Sequence, residues 1–387
     1  MAANGKPPVL VVLQLTGGND FMNSVVPYNS PVYYDARQSL AIAQEDVLPI
    51  DGELGFHPNL APLKELYDEG TVAIVQGVGY QNSSRSHFRA MDIMHTCEPE
   101  IVGTEGWVGR ATRQLDPERE SVLTTVNIGR GMPRALACPG VPITSVGDLD
   151  SYGLMSGISA LEQRSQALTR FQEMYAPAIG SGPVADYIAR TGLDVIKGAE
   201  ILKAAPAAYQ SRVTYAENAI AQSLRDVARV HLAGLGTRIF YAQHGGYDTH
   251  AIQNPTHPRL LSELSGAIRD FFQDLRDHDA DDDVAMLVFT EFGRRMRGNG
   301  SGTDHGSGGG AFIIGKNVNG GLYCEYPSLN PNDWLNGEDL RHTVDFRSVY
   351  SVMLEKWMKM DATDIVGGSY EQFQPFKQAG STAAASA

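Results

Sequence analysis

Residues 290–315 read TEFGRRMRGNGSGTDHGSGGGAFIIG and follow VAMLVF at 284–289. The hexapeptide is apolar throughout and bounded by Asp281, Asp282 and Asp283 before it and Glu291 after it. A short uninterrupted apolar run between turn-forming residues is the pattern of a strand covered on both faces, as in parallel sheets under helices. Residues 311–314 are apolar again, so the polar loop leaves one strand and returns to another. That loop carries a carboxylate (Glu291), three arginines (Arg294, Arg295, Arg297), many glycines and the sequence Thr303-Asp304-His305-Gly306. In open α/β sheets ligands sit where strands end. An Asp–His pair there, with glycines that let backbones approach, reads as half of a metal site, because carboxylate oxygen and neutral imidazole are ordinary ligands for zinc and its neighbours. The same residues also read as a helix-capping Asp beside a surface His.

Two more strand ends repeat the pattern. Residues 9–15 (VLVVLQL) run into Thr16-Gly17-Gly18-Asn19-Asp20, which puts Asp20 at the carboxyl edge of a sheet unless it merely caps the next element. Residues 237–243 (TRIFYAQ) end in His244-Gly245-Gly246-Tyr247-Asp248-Thr249-His250, again glycines followed by an Asp-x-His pair. Between the first two strands, 59–69 has helical spacing and stops at Gly70, and 72–76 (VAIVQ) is a second buried strand. Strand, helix, strand is a right-handed crossover unit. After it, 83–95 (SSRSHFRAMDIMH) predicts a helix with Ser83, Ser84 or Ser86 at its start, beside Arg85. A hydroxyl at the positive end of a helix suits a nucleophile or an anion site, and equally a plain cap.

Helical patterns also cover 161–175, 184–204, 215–232, 263–275 and 343–358, the last with Thr343 as its cap. The acidic run 277–283 lacks the glycine and distal glutamate of a calcium loop and reads as a solvated turn. Nothing between 100 and 235 shows chemistry, and that part reads as a helical or irregular cap over a cleft. No repeat or linker divides the chain. The expectation is one doubly wound α/β sandwich over 1–379 with a mostly parallel central sheet, and a disordered Gly-Ser-Thr-Ala tail at 380–387.

The chain has 387 residues, with 31 Lys+Arg against 45 Asp+Glu and a formal charge of -14. That balance argues against nucleic acid as a partner. An anionic substrate would need local cations, which Arg85, Arg89 and the arginines at 294–297 supply. Cys97, Cys138 and Cys324 form no disulfide framework and no CxxC pair. No apolar run reaches the roughly 20 residues that span a bilayer. Residues 1–8 are short and polar, so the sequence reads as a cytosolic protein or a mature form without its leader.

Asp20, Asp248, His250, Glu291, Asp304 and His305 thus all follow apolar strands or lie in glycine-rich loops. One or two divalent ions (Zn, Mg, Ca or Mn) held by such a set would stabilise the attacking and leaving oxygens of a displacement at phosphorus or sulfur, with a helix-terminal Ser as nucleophile. Neither a G-x-S-x-G elbow, nor a phosphate-binding G-x-x-x-x-G-K-[ST] loop, nor G-x-G-x-x-G after a strand is present.

LQLTGGNDFMNSVVP, SRSHFRAMD, HGGYDTH, FTEFGRR, GTDHG and TVDFRSVY, in this order across residues 9–360, resemble the bacterial family known as domain of unknown function 1501. The resemblance implies the alkaline phosphatase and sulfatase-like superfamily, its α/β sandwich, twin-arginine export to a periplasmic or secreted location, and a metal-dependent ester hydrolase ancestry. By that resemblance Asp20 corresponds to the superfamily's first metal ligand, Asp248 to the Asp of its Gly-Gly-x-x-Asp element, and Asp304-His305-Gly306 to its Asp-His-Gly motif. Four residues beyond Asp248, where the superfamily has its next ligand, stands Ile252, so His250 must substitute. In the alternative correspondence Glu291 holds the place of the usual Asp, with His305 in that of the later lone His. Ser86, next to His87, resembles the Ser of an Asn-Ser-x-x-x-His segment, with Ser84 as its rival. The formylglycine motif C-x-P-x-R is absent.

These readings predict a metal-dependent hydrolase of an anionic small-molecule or saccharide ester. Asp20, Asp248, His250, Glu291, Asp304 and His305 would form the metal site. Ser86 and His87 would act at the reacting centre, and Arg85 or Arg294 on the anion. The alternatives are a binding or scaffold protein that has kept the fold, or a hydrolase of glycans.

Overall fold

The computed structural model describes residues 5–150, 161–175, 182–202, 205 and 209–378. The tail expected to be disordered, 380–387, lies outside the described residues. A nine-stranded sheet forms the centre. Its strands are β1 (Val9–Thr16), β2 (Val72–Gly79), β3 (Thr125–Ile128), β4 (Thr144–Val146), β5 (Ile239–Gly245) and β6 (Val284–Thr290). Beyond a small hairpin of β7 (Arg294–Gly298) and β8 (Thr303–His305), the sheet adds β9 (Gly309–Ile314), β10 (Gly321–Tyr323) and β11 (Val344–Asp345). The order is β10-β2-β9-β6-β1-β5-β3-β4, with β11 also paired to β2. All pairings are parallel except those of β9, which runs antiparallel to β2 and β6. The mostly parallel sheet therefore stands as the sequence predicts.

The uninterrupted apolar strands follow from cover on both faces. In β1, Val9, Val11, Leu13 and Leu15 pack with helices α2 (Ala61–Asp68), α7 (Ala219–Leu232) and α8 (Gln253–Asp277). Leu10 and Val12 face the other way, onto α3 (His87–Thr96), α4 (Trp107–Leu115) and α9 (Phe346–Val352). Gln14, the polar interruption of β1, is fully buried. Its Oε1 is met by His95 Nε2 at 3.0 Å, by Gln243 Nε2 at 3.2 Å and by the Tyr241 hydroxyl. Gln14→Leu is expected to lower stability by about 1–3 kcal/mol, because the buried His95 and Tyr241 lose their acceptor. Denaturant unfolding checks this.

The region expected to be a cap supplies β3, β4, α4 and α7 to the central layers. TVNI and TSV are too short for a period to show in the sequence. The helices Leu161–Tyr175 (α5) and Pro183–Leu202 (α6) pack against each other. Two boundaries also differ from expectation. Helix α8 begins ten residues before 263, with Pro255 in its first turn, where a missing N–H matters least, and Pro258 inside the helix. Asp345, not Thr343, caps α9, accepting from Arg347 N at 2.9 Å, while Thr343 donates to Glu325 O. Short α1 (Pro31–Arg37) lies beside the Gly17-Gly18 turn and β7.

The topology brings the site together. Strands β1, β2, β5 and β6 share a direction, so Thr16, Gly79, Gly245 and Thr290 all end on one edge. Antiparallel β9 starts there, with Gly309 opposite Val78. Five chain segments separated by up to nearly three hundred residues therefore meet at the carboxyl edge.

Candidate metal centre

Asp248 stands at the centre of the edge. Its Oδ1 lies 3.0 Å from His305 Nε2 and 3.2 Å from His250 Nε2, and its Oδ2 lies 3.3 Å from His87 Nε2. His250 Nε2 and His305 Nε2 are themselves 2.9 Å apart. His87, Asp248 and His305 each offer a ligand atom within 4.8 Å of the others.

Each imidazole is held from behind at Nδ1. His87 faces Glu291 Oε1 at 3.0 Å, His250 faces Asp304 Oδ1 at 2.9 Å, and His305 faces the Arg85 carbonyl at 2.7 Å. Carboxylates and carbonyls accept, so each Nδ1 carries the proton and each Nε2 presents a lone pair toward Asp248. This is how metal-binding histidines are oriented. Among the described residues, buried His87 Nε2 has no hydrogen-bond partner. Two imidazole lone pairs 2.9 Å apart beside a carboxylate oxygen repel unless a cation or proton lies between them. Ligand atoms about 2.0–2.1 Å from a tetrahedral zinc are about 3.3 Å apart, close to the spacings here. The donor set fits a divalent first-row transition ion, and imidazole nitrogen fits calcium or magnesium poorly.

The local sequence explains the convergence. His87 opens α3, one residue past its N-cap Ser86. Asp248 and His250 leave β5 through the Gly245-Gly246 turn, and His305 ends β8, paired across the hairpin with Arg294. Gly17, at φ 120°, allows the end of β1 to lie against the backbone of Asp248, where any Cβ would overlap the Asp248 nitrogen. Gly17→Ala is therefore expected to displace Asp248 and reduce bound metal by about 10–100-fold, the range seen when partners of metal ligands are moved. Titration of the purified variant with zinc checks this.

Arg294 holds the loops together. Its buried guanidinium donates to Gly18 O at 2.7 Å, Thr303 O and Tyr247 O at 2.8 Å each, Asp248 Oδ1 at 2.8 Å, and Gly17 O. The expectation that Arg294 binds a substrate anion is thus corrected, because its donors are used within the protein. Arg85 pairs with Asp339 through two of its guanidinium nitrogens, while its carbonyl orients His305. Arg295 pairs with Glu338 at 2.9 Å, and Arg297 stacks over Trp334.

Three of the expected ligands take other positions. Asp20 is buried in a two-bond pair with Arg37, at 2.5 and 3.1 Å, and accepts from Gln253 Nε2 at 2.6 Å. It braces the turn after β1 and does not face the histidines. Glu291 is buried, accepting from Gly17 N at 2.9 Å and from Thr290 Oγ1 at 3.1 Å as well as orienting His87. Asp304 orients His250 and accepts from Asn299 Nδ2 at 3.1 Å. Glu291 and Asp304 therefore stand behind the histidines. His87, expected to act in catalysis beside Ser86, turns its Nε2 toward Asp248 as His250 and His305 do; its sequence signal was its position at a helix start by a strand end. Ser86 is exposed, and its hydroxyl makes no hydrogen bond among the described residues.

Electrostatics agree with the geometry. Burial pushes the Asp248 carboxyl up, but bonds from His305 and Arg294 and the charge of Arg294 outweigh it and hold it below the carboxylate range. Burial likewise opposes, and hydrogen bonds overcome, at Glu291 and Asp304, both lowered. The bond to Glu291 raises His87 despite its partial burial. A metal at His87 competes with that proton, so uptake weakens as pH falls.

No helix of the described residues is long and apolar enough to cross a membrane. No curated protein matches the chain. Among solved structures, the chain is similar to the C-terminal periplasmic domain of EcEptC from Escherichia coli, at 8% identity and TM-score 0.43, over 97% of this chain and 90% of that one. It is similar to the PsFucS1 sulfatase from Pseudoalteromonas sp., at 11% identity and TM-score 0.41, over 97% and 73%. A third is a protein in the alkaline phosphatase superfamily from Vibrio parahaemolyticus, at 11% identity and TM-score 0.41, over 95% and 70%. Likeness at this level assigns no activity. Residues 162–365, more than half of the chain, match the family model described as "Protein of unknown function (DUF1501)", and the protein belongs to that family.

Proposed function

We propose that the protein is a metal-dependent hydrolase of a phosphate or sulfate ester, with its divalent cation held by His87, Asp248, His250 and His305. The observation that carries this reading is the common orientation of three imidazoles. All three Nδ1 atoms are tied to acceptors, and all three Nε2 atoms converge on one carboxylate. Bound there, the cation would polarise the ester oxygen and lower the pKa of water, which is the chemistry a hydrolase needs. Asp248 and the histidines bind; Glu291, Asp304 and the Arg85 carbonyl orient. Arg294 keeps the Asp248 carboxylate ionised and in place. Since Arg294 is engaged within the protein and Arg295 pairs with Glu338, the charge of an anionic substrate would be met chiefly by the cation itself. Ser86 remains the candidate nucleophile, at the positive end of α3 and beside His87. An exported location, as the family resemblance implies, belongs to the same proposal.

Turnover of a panel of aryl phosphates and aryl sulfates tests the reading. Activity that tracks metal content and disappears with chelator is expected. Ser86→Ala is expected to lower kcat by at least about 100-fold at unchanged metal content. A metal-loaded protein that turns over no member of the panel would instead favour a binding or scaffold role.

A further inference from the structure

Strand β5 ends in a step of the sheet. Ile239 and Tyr241 pack into the core shared with α3, while Phe240 and Ala242 face the other layer. With a period of two, Gln243 and Gly245 follow Ile239 and Tyr241 onto the α3 side. Both are exposed, in a strand whose other five residues are buried. Pairing of β3 with β5 stops at Ile128 opposite Ala242, whereas β1 continues beside β5 to Thr16 opposite Gly245. The last three residues of β5 therefore overhang the end of β3 as a shelf at the carboxyl edge, where ligands bind in such sheets.

The shelf adjoins the metal centre. Tyr247 N donates to Thr16 O at 3.2 Å, and the Asp248 backbone lies against Gly17, so Asp248 stands over the end of β1, the strand next to Gly245. Neighbouring strands are about 4.8 Å apart. One wall is α3: His87 opens it, and Met91, one turn on and on the same side, meets Gln14 Nε2 at 2.6 Å. Gln14 Oε1 in turn accepts from Gln243 Nε2 at 3.2 Å, which orients that carboxamide and leaves its Oε1 as an acceptor. A Cβ at Gly245 would meet no heavy atom within 4 Å beyond its chain neighbours, so the space over the shelf is open. Ile239 N donates to Thr124 O on the β3 side, and alternate residues of a parallel strand turn their N–H the same way. The Gly245 N–H thus points past the end of β3, unbonded among the described residues.

An acceptor, a donor and open room beside a cation site, with no charged side chain on the shelf itself, fit a neutral hydrogen-bonding group and fix its orientation. We infer that the shelf of Gln243 and Gly245 holds the alcohol portion of the substrate, and that this portion carries a hydroxyl beyond the ester oxygen, donating to Gln243 Oε1. This rests on the hydrolase reading above. Gln243 is then a specificity residue: the charged group, common to all such esters, goes to the cation, and the extra hydroxyl selects among them.

Calorimetric titration of the zinc-loaded protein with two matched probe pairs tests it: dihydroxybutylphosphonate, the phosphonate isostere of glycerol phosphate, against butylphosphonate, and dihydroxybutanesulfonate against butanesulfonate. The hydroxylated member of at least one pair is expected to bind about tenfold tighter, and Gln243→Leu to remove that preference while zinc content stays the same. Gln243 is exposed, so the substitution leaves the core intact. Gly245→Val fills the open space with a side chain that suits a strand, and is expected to weaken the preferred probe by at least about tenfold. Equal or unmeasurable affinities within both pairs, a hydroxyl preference that survives Gln243→Leu, or affinities that Gly245→Val leaves unchanged would overturn the shelf while the metal site stands. A wild-type protein that retains no zinc would overturn the hydrolase reading and the shelf with it.

Discussion

His305→Ala protein, purified without chelator, is expected to bind zinc at least about 100-fold more weakly than the native chain. Asp304→Ala is expected to lose only about 10–100-fold. The order follows from position. His305 Nε2 sits 3.0 Å from Asp248 Oδ1 and 2.9 Å from His250 Nε2, inside the cluster of lone pairs. Asp304 instead holds His250 at Nδ1, on the far side of the ring, so its loss frees a rotamer and a tautomer without removing a donor. Competition with a chromophoric chelator measures both. Equal losses, or a larger loss for Asp304, would mean that Asp304 touches the cation directly and that the two spheres are wrongly assigned.

Asp20→Ala separates stability from metal binding. Asp20 and Arg37 are a buried pair with side-chain exposures of 1% and 0%, and removing one partner leaves an uncompensated buried charge. Such losses cost about 3–5 kcal/mol, which for a chain of this size lowers Tm by about 4–6 °C. Zinc content per folded chain is expected to stay within about twofold, because the native Asp20 carboxylate is occupied by Arg37 and Gln253 and does not join the histidines. The pH dependence has a defined sign. Burial raises the Asp20 pKa, but Arg37 lowers it further, and the net result lies below the ordinary value. The pair's contribution is therefore fully present above the unfolded pKa of about 4 and is lost as pH falls through the depressed folded value. The native protein's Tm is expected to drop more steeply below pH 4 than that of Asp20→Ala. Scanning calorimetry of both proteins from pH 7 to pH 3 reads this out; parallel curves would remove Asp20 from the acid response.

The sheet was legible because its strands are buried on both faces. VLVVLQL, VAIVQ and VAMLVF need no alternation to be recognised, and the glycines after them mark the edge where ligands collect. The short strands β3 and β4 were not legible, since three or four residues carry no period. The hairpin of β7 and β8 was hidden because RRMRG reads as a basic cluster, although Arg294 is turned inward by four carbonyls. Within the site, the sequence named Asp248, His250 and His305 because they follow strands in Asp–His pairs. It could not rank them against Asp20, Glu291 and Asp304, since a carboxylate after a strand looks the same whether it meets a cation, an arginine or the back of an imidazole. Arg37 lies in α1, seventeen residues from Asp20, and no spacing rule connects the two. His87 was read through its neighbour Ser86, yet its ring is fixed by Glu291, 204 residues away.

X-ray absorption spectroscopy of the zinc-loaded protein tests the central claim most directly, because it reports the donor atoms themselves. The account predicts nitrogen and oxygen donors at about 2.0–2.1 Å, with the outer-shell scattering of three imidazole rings, reduced to two in His87→Ala. A shell of oxygens alone, or an imidazole signal that His87→Ala and His305→Ala both leave unchanged, would contradict it.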